Sequence, residues 1–142
     1  MRHKKVKYLI SAVLITGAVL TSTYSFAQII EKPVTFKKGS YGTVLKGSFK
    51  GYDTVHYTVY AKAGQQLALD LIGKNNLAEV NIFAPGDRPG ISEAISRSSV
   101  DGGSLEITLN ETGTYTIQVY QMRNTARRGQ VANYNIDLKI FN

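Results

Sequence analysis

From residue 54 onward, apolar and polar positions alternate with the two-residue period of a half-buried strand. In DTVHYTVYA, Val55, Tyr57, Val59 and Ala61 fall on one face, with Thr54, His56, Thr58 and Tyr60 on the other. In QQLALDLIG, Leu67, Leu69 and Leu71 share a face, and Ala68 and Asp70 lie opposite. Lys62-Ala63-Gly64 between the two runs reads as a tight turn whose glycine accepts a positive φ, which predicts that the two strands pair antiparallel.

The same alternation marks AEVNIFAP (78–85), SLEITL (104–109), GTYTIQVYQ (113–121) and ANYNIDLKI (132–140). Leu105, Ile107 and Leu109 make one apolar row, Tyr115, Ile117 and Val119 a second, and Tyr134, Ile136, Leu138 and Ile140 a third. Asn110-Glu111-Thr112-Gly113 is the turn between the first two rows. Upstream, VTFKK and TVLKGSF add one or two strands before a turn at Lys50-Gly51-Tyr52-Asp53. Seven to eight short strands with closely spaced turn signals, and no helical periodicity, predict an all-β fold, an antiparallel β-sandwich. The stretch PGDRPGISEAISRSSVDGG (85–103) breaks the pattern and reads as a long loop with room for a short helical turn around Ser92 to Ser96.

The N-terminus has a different character. In MRHKKVKYLISAVLITGAVLTSTYSFAQ, Arg2, Lys4, Lys5 and Lys7 precede an apolar run from Tyr8 to Leu20 and a polar stretch ending Ser25-Phe26-Ala27. This is the pattern of a secretory signal peptide over residues 1 to 27. Its apolar run is shorter than the roughly 20 residues that span a bilayer, so no membrane anchor is expected in the mature form. Residues 28 to 142 then form a single domain able to bury its own core. The chain has no cysteine, which removes both a lipid anchor at the cleavage point and any disulfide. Export also removes four of the 17 basic residues and none of the ten acidic ones, leaving a net charge of +3 in place of +7. So small a charge on an exported domain argues against nucleic acid as a partner.

Catalytic groupings are hard to assemble from this chain. His56 is the only histidine after the signal peptide, with Asp53 and Ser48 nearby in sequence, but no nucleophile elbow surrounds them and alternation puts His56 on the face away from the core. One such histidine, no cysteine and scattered carboxylates match no metal-ligand spacing. No two carboxylates are marked as an acid and base pair for glycoside hydrolysis. The protein therefore reads as a non-enzyme that requires no cofactor.

Binding is better supported. The tract QMRNTARRGQ (121–130) gathers Arg123, Arg127 and Arg128 where no apolar periodicity demands them. Arg123 and Arg127 are four apart, so a helical turn would put both on one side, and guanidinium forks suit an acidic cleft. The plain alternative is a solvated charged loop. Tyr52, between Gly51 and Asp53, is an aromatic that the turn itself does not need, and tyrosine beside arginine is a pairing enriched in interface hot spots.

These tracts carry a family resemblance. The export signal, KGYDTVHYTVYAKAGQ (50–65) and GTYTIQVYQMRNTARRGQVANYNIDLKI (113–140) closely resemble the periplasmic inhibitors of g-type lysozyme, small exported β-sandwich proteins that block goose-type muramidases. The resemblance runs from about Val34 to Ile140 and is poorest across 85–103. It implies a periplasmic, or secreted, protein whose partner is a g-type lysozyme. It also implies that Tyr52, Arg123 and Arg127 match the family's tyrosine in a Gly-Tyr-Asp turn and arginines in a Gln-x-Arg-Asn-x-Ala-Arg tract, residues that enter the enzyme's substrate cleft. Gly51, Gln121, Asn124 and Ala126 of the same motifs are also present, and Asp53, Asn124 and Arg128 are further contact candidates. Arg128 lies outside the matched motif and would add to the positive field. A Gly-x-Tyr-Asp-like turn, an Ala-Gly-Gln hairpin and a late Gly-Thr-Tyr strand also resemble the sandwich domains appended to secreted peptidases, so a glycan-binding or peptidase-appended module is the alternative. A sandwich that makes up the whole mature protein favours the inhibitor.

Overall fold

Alternation becomes strands almost residue for residue. A computed structural model describes residues 26–142 other than 74 and 76, together with Val19. The export signal expected over 1–27 lies outside the described residues apart from Val19, Phe26 and Ala27. The strands are β1 (Ile29–Pro33), β2 (Gly42–Lys50), β3 (Thr54–Ala61), β4 (Gln66–Gly73), β5 (Ala78–Phe83), β6 (Ser96–Arg97), β7 (Ser104–Thr108), β8 (Gly113–Gln121) and β9 (Val131–Phe141). Two single helical turns, α1 (Ser98–Asp101) and α2 (Arg123–Ala126), are set into the connections.

The strands form a five-stranded sheet, β1-β3-β8-β5-β6, facing a four-stranded sheet, β2-β9-β4-β7. Only β1 and β3 run parallel; the other neighbours are antiparallel. This is the all-β sandwich expected, with nine strands among the described residues instead of seven to eight. Between the sheets lie the predicted apolar rows, among them Val55, Tyr57, Val59, Leu67, Leu69, Leu105, Tyr115, Ile117, Val119, Tyr134, Ile136 and Leu138, all buried.

The hairpin expected at Lys62-Ala63-Gly64 does not form. β3 and β4 join opposite sheets, because the rows Val55/Val59 and Leu67/Leu69 bury more fully face to face than edge to edge. The connection is instead a corner: Gly64, at φ 91°, donates its N–H to Leu109 O (2.7 Å), and Leu109 N–H donates to Gln65 O (2.8 Å). The 110–113 turn also crosses between sheets, where the Tyr115 hydroxyl donates to Glu111 O (2.7 Å) and accepts from Glu111 N–H (3.1 Å). Two further expectations shift. VTFKK is not a strand; β1 precedes it, and after Val34 N–H donates to Thr58 O (2.8 Å) the chain leaves the sheet so that Val34 and Phe36 tuck against the core. The helical turn falls at Ser98–Asp101, not Ser92–Ser96, since the Ser98 hydroxyl bonds both Val80 N–H and the Glu79 carboxylate and so ties that turn to β5.

Candidate functional site

At one end of the sandwich, β2 runs into β3 through Lys50–Asp53 and β8 runs into β9 through α2. Asp53 N–H donates to Lys50 O (3.1 Å), and Gly51 sits at φ 59°, in the left-handed region. The next connection is built on Met122: Thr125 and Ala126 N–H groups donate to its carbonyl at 3.1 and 2.9 Å, and Thr125 Oγ1 donates there too (2.9 Å). Gly129, at φ 64°, closes the turn with its N–H on Ala126 O (2.9 Å).

Gln121 clamps the two connections together. Its Nε2 donates to Gln130 O (2.7 Å) and Gly51 O (3.4 Å), while Gly51 N–H donates to Gln130 O (3.0 Å). Contact is close enough that a Cβ on Gly51 would stand 3.3 Å from Ala126 O. Between the turns lies a depression lined by Lys50, Tyr52, Asp53, Ala126 and Arg127; its volume of about 390 Å³ is that of the full chain, where Phe26 and Ala27 of the expected export signal also line it. Tyr52 is 52 % exposed.

The two tracts singled out in the sequence, 70 residues apart at Gly51 and Gln121, are therefore neighbours in space. Tyr52 and Arg127 line the same depression, Arg123 begins the same helical turn as Ala126, and Asn124 and Arg128 are exposed beside them. The ion pairs among the described residues are Arg97 with Glu93 and Lys139 with Asp137, so none of the three arginines holds an acidic partner there. Asp53 plays a different part: its Oδ1 accepts from Gln28 N–H (2.8 Å), fixing the entry to β1 against the turn. Lys50 was missed by sequence reasoning. It adds a cation to the depression, and its position directly before the Gly-Tyr-Asp turn was the available signal.

His56, Ser48 and Asp53 do not converge. Ser48 is on β2, in the other sheet, and His56 Nε2 faces Thr54 Oγ1 (3.2 Å) and Gln118 Nε2 (3.5 Å). The expected exposure of His56 is also corrected: it is only 7 % exposed, because β3 is an interior strand and side chains from β1 and β8 wall it in. Burial lowers its pKa from the ordinary histidine value, with Glu31 opposing.

Comparisons with known proteins identify the family. A family model described as the bacterial pre-peptidase C-terminal domain matches residues 53–121. The Escherichia coli K12 inhibitor of g-type lysozyme is 37 % identical over 137 residues, 96 % of this chain and 98 % of that one. Among solved structures, the Aeromonas hydrophila periplasmic inhibitor of g-type lysozyme is 46 % identical with a TM-score of 0.77, covering 81 % of this chain and 99 % of the other. The Salmonella Typhimurium counterpart is 31 % identical with a TM-score of 0.63, covering 78 % and 97 %. These relatives are inhibitor proteins, not enzymes, and the protein shares the periplasmic location of its structural neighbours. The chain belongs to the family of periplasmic inhibitors of g-type lysozyme.

Proposed function

We propose that the protein inhibits g-type lysozyme by inserting the Lys50–Asp53 turn and the α2 turn together into the substrate cleft of the enzyme. The observation that carries this reading is the shared depression of Tyr52 and Arg127, held by the Gln121 clamp. Muramidases keep carboxylates in their clefts for acid catalysis, and a carboxylate buried without a partner is costly. Arg123 and Arg127 would pair with such groups through charge-assisted hydrogen bonds, while Tyr52 fills apolar sugar-binding space with its ring. Substrate is then excluded sterically, and no bond is made or broken. Because the two turns are already bonded to one another, little ordering cost remains for the encounter.

Cell-wall lysis by a goose-type lysozyme, and separately by a chicken-type one, tests the reading. The expected result is loss of goose-type activity near equimolar protein, with chicken-type activity retained and the goose-type block relieved by Arg123→Ala combined with Arg127→Ala. Full goose-type lysis at large excess would refute it.

A further inference from the structure

A polar row crosses the outer face of the five-stranded sheet from edge to edge. The strand registers place Glu31 opposite His56, His56 opposite Gln118, Gln118 opposite Asn81, and Asn81 opposite Arg97. The side chains continue the row: Asn81 Nδ2 donates to Gln118 Oε1 (3.3 Å), and Gln118 Nε2 approaches His56 Nε2 (3.5 Å). In the tautomer with its proton on Nδ1, His56 accepts at Nε2 from Gln118; Gln118 Oε1 in turn accepts from Asn81 Nδ2, and Asn81 Oδ1 is left over. Among the described residues, the buried side-chain atoms with no hydrogen-bond partner are Asn81 Oδ1 and Gln121 Oε1. Gln121 cannot turn its amide around, since Nε2 is held by the carbonyls of Gly51 and Gln130, and the residue is 6 % exposed.

Both residues line one cleft of about 370 Å³, together with Tyr52, Thr54, Gln118 and Tyr120. Folded proteins retain few orphaned acceptors, and two at a single cleft point to donors supplied from outside. We propose that this cleft is a second binding site, distinct from the arginine depression, and that it takes an uncharged saccharide unit. Three features name that class. The orphaned oxygens require hydroxyl or amide donors. The lining carries one carboxylate, Asp53, and one guanidinium, Arg97, whose charges cancel, so no net charge there selects a charged ligand. Tyr52 offers a half-exposed ring face at the rim, which suits the C–H face of a pyranose. The volume is in the range of small-ligand sites, roughly 300–1,000 Å³. Both oxygens are shielded from solvent, so a ligand meets them only as side chains of the cleft wall move aside. None of Arg123, Arg127 and Arg128 lines this cleft, so the site shares with the inhibitory reading only the Gly51–Asp53 turn and its Gln121 clamp.

Nuclear magnetic resonance titration of the isotope-labelled protein with a neutral N-acetylglucosamine tetramer, and with a glucose tetramer, tests it. Expected are saturable shifts of the Asn81, Gln118 and Gln121 side-chain amides at about millimolar sugar, weakened about tenfold or more by Gln118→Met and by Asn81→Leu. Gln118→Met should meanwhile inhibit g-type lysozyme as the parent protein does. Absence of shifts with both sugars, or shifts confined to Arg123–Arg128, would overturn the proposal. So would weakened lysozyme inhibition by Gln118→Met without sugar binding, which would assign the cleft to the enzyme's footprint.

Discussion

The hydroxyl oxygens of Tyr57 and Tyr134 lie 2.8 Å apart in the core and join the two sheets, Tyr57 from β3 and Tyr134 from β9. Their rings meet edge to face, with centroids 6.4 Å apart at 81°. Each hydroxyl is the other's buried partner, so removing one orphans its mate at a cost of about 1–3 kcal/mol. Tyr57→Phe and Tyr134→Phe should each lower the denaturant midpoint by that equivalent, and the double variant should lose much less than the sum. Additive losses would show that the two hydroxyls act independently.

The same pair sets a limit at high pH. Burial raises the pKa of Tyr134, reinforced by Tyr57, and burial also raises that of Tyr57, which its bond to Tyr134 partly offsets. The folded protein therefore holds these protons more tightly than the unfolded chain, whose phenols titrate near about 10. The stability this contributes is complete below that pH and falls as pH rises above it. Unfolding free energies measured on both sides of about pH 10 should decline on the alkaline side, and less steeply in the double phenylalanine variant. An equal decline in that variant would place the effect elsewhere.

His56 sets the opposite limit. Its folded pKa is lowered by burial, so its contribution is present above the unfolded value of about 6.5 and is lost as pH falls through the folded one. Thermal melts from neutral to mildly acid pH should show the midpoint falling, and His56→Gln should flatten that dependence while costing some stability at neutral pH. Retention of the full acid slope in His56→Gln would remove the imidazole from the account.

Gly47 on β2 pairs with Tyr134 across the sheet, and the ring lies over its backbone. A Cβ there would overlap the Tyr134 hydroxyl and stand 2.8 Å from Cζ. Gly47→Ala should thus cost about 1–3 kcal/mol as overpacking, despite the better strand propensity of alanine. Gly42→Ala on the same strand is the control, since the side-chain atom nearest its Cβ is Cγ of the flexible Lys139, at 3.3 Å. Similar unfolding midpoints for both variants would mean that the ring moves aside freely.

Periodicity told which residues face inward but not which strands are neighbours. The rows at 54–61 and 113–121 were legible because alternation fixes a face. Sheet membership was not, since Lys62–Gly64 has hairpin chemistry while the burial of two apolar rows decides for a corner. For the same reason the burial of His56 was hidden: it depends on β3 lying between β1 and β8, a fact of topology. α1 is four residues long, too short to leave a period, and its place is set by Ser98 bonding to β5. Tyr52 and Arg127 stood out as a turn aromatic and an arginine-rich tract and were matched by motif resemblance, Lys50 is drawn in by the depression it lines, and the polar row from Glu31 to Arg97 emerges only once strand registers are known.

Arg127 and Arg128 are adjacent in sequence but differ in setting, and they should separate in kinetics. Arg127 lines the depression with Tyr52, where a bound carboxylate would be shielded from water; Arg128 does not line it. Interactions in a water-excluded contact act mainly on dissociation, and solvated rim charges act mainly on association and fade with salt. Arg127→Ala should therefore speed dissociation from g-type lysozyme by roughly 30-fold, about 2 kcal/mol, at any ionic strength. Arg128→Ala should slow association by a smaller factor, and only at low salt. Surface plasmon resonance on immobilised lysozyme at two salt concentrations reads both constants directly. An unchanged dissociation rate for Arg127→Ala would place its guanidinium outside the enzyme's cleft, and a large effect of Arg128→Ala at high salt would make that residue the buried contact instead.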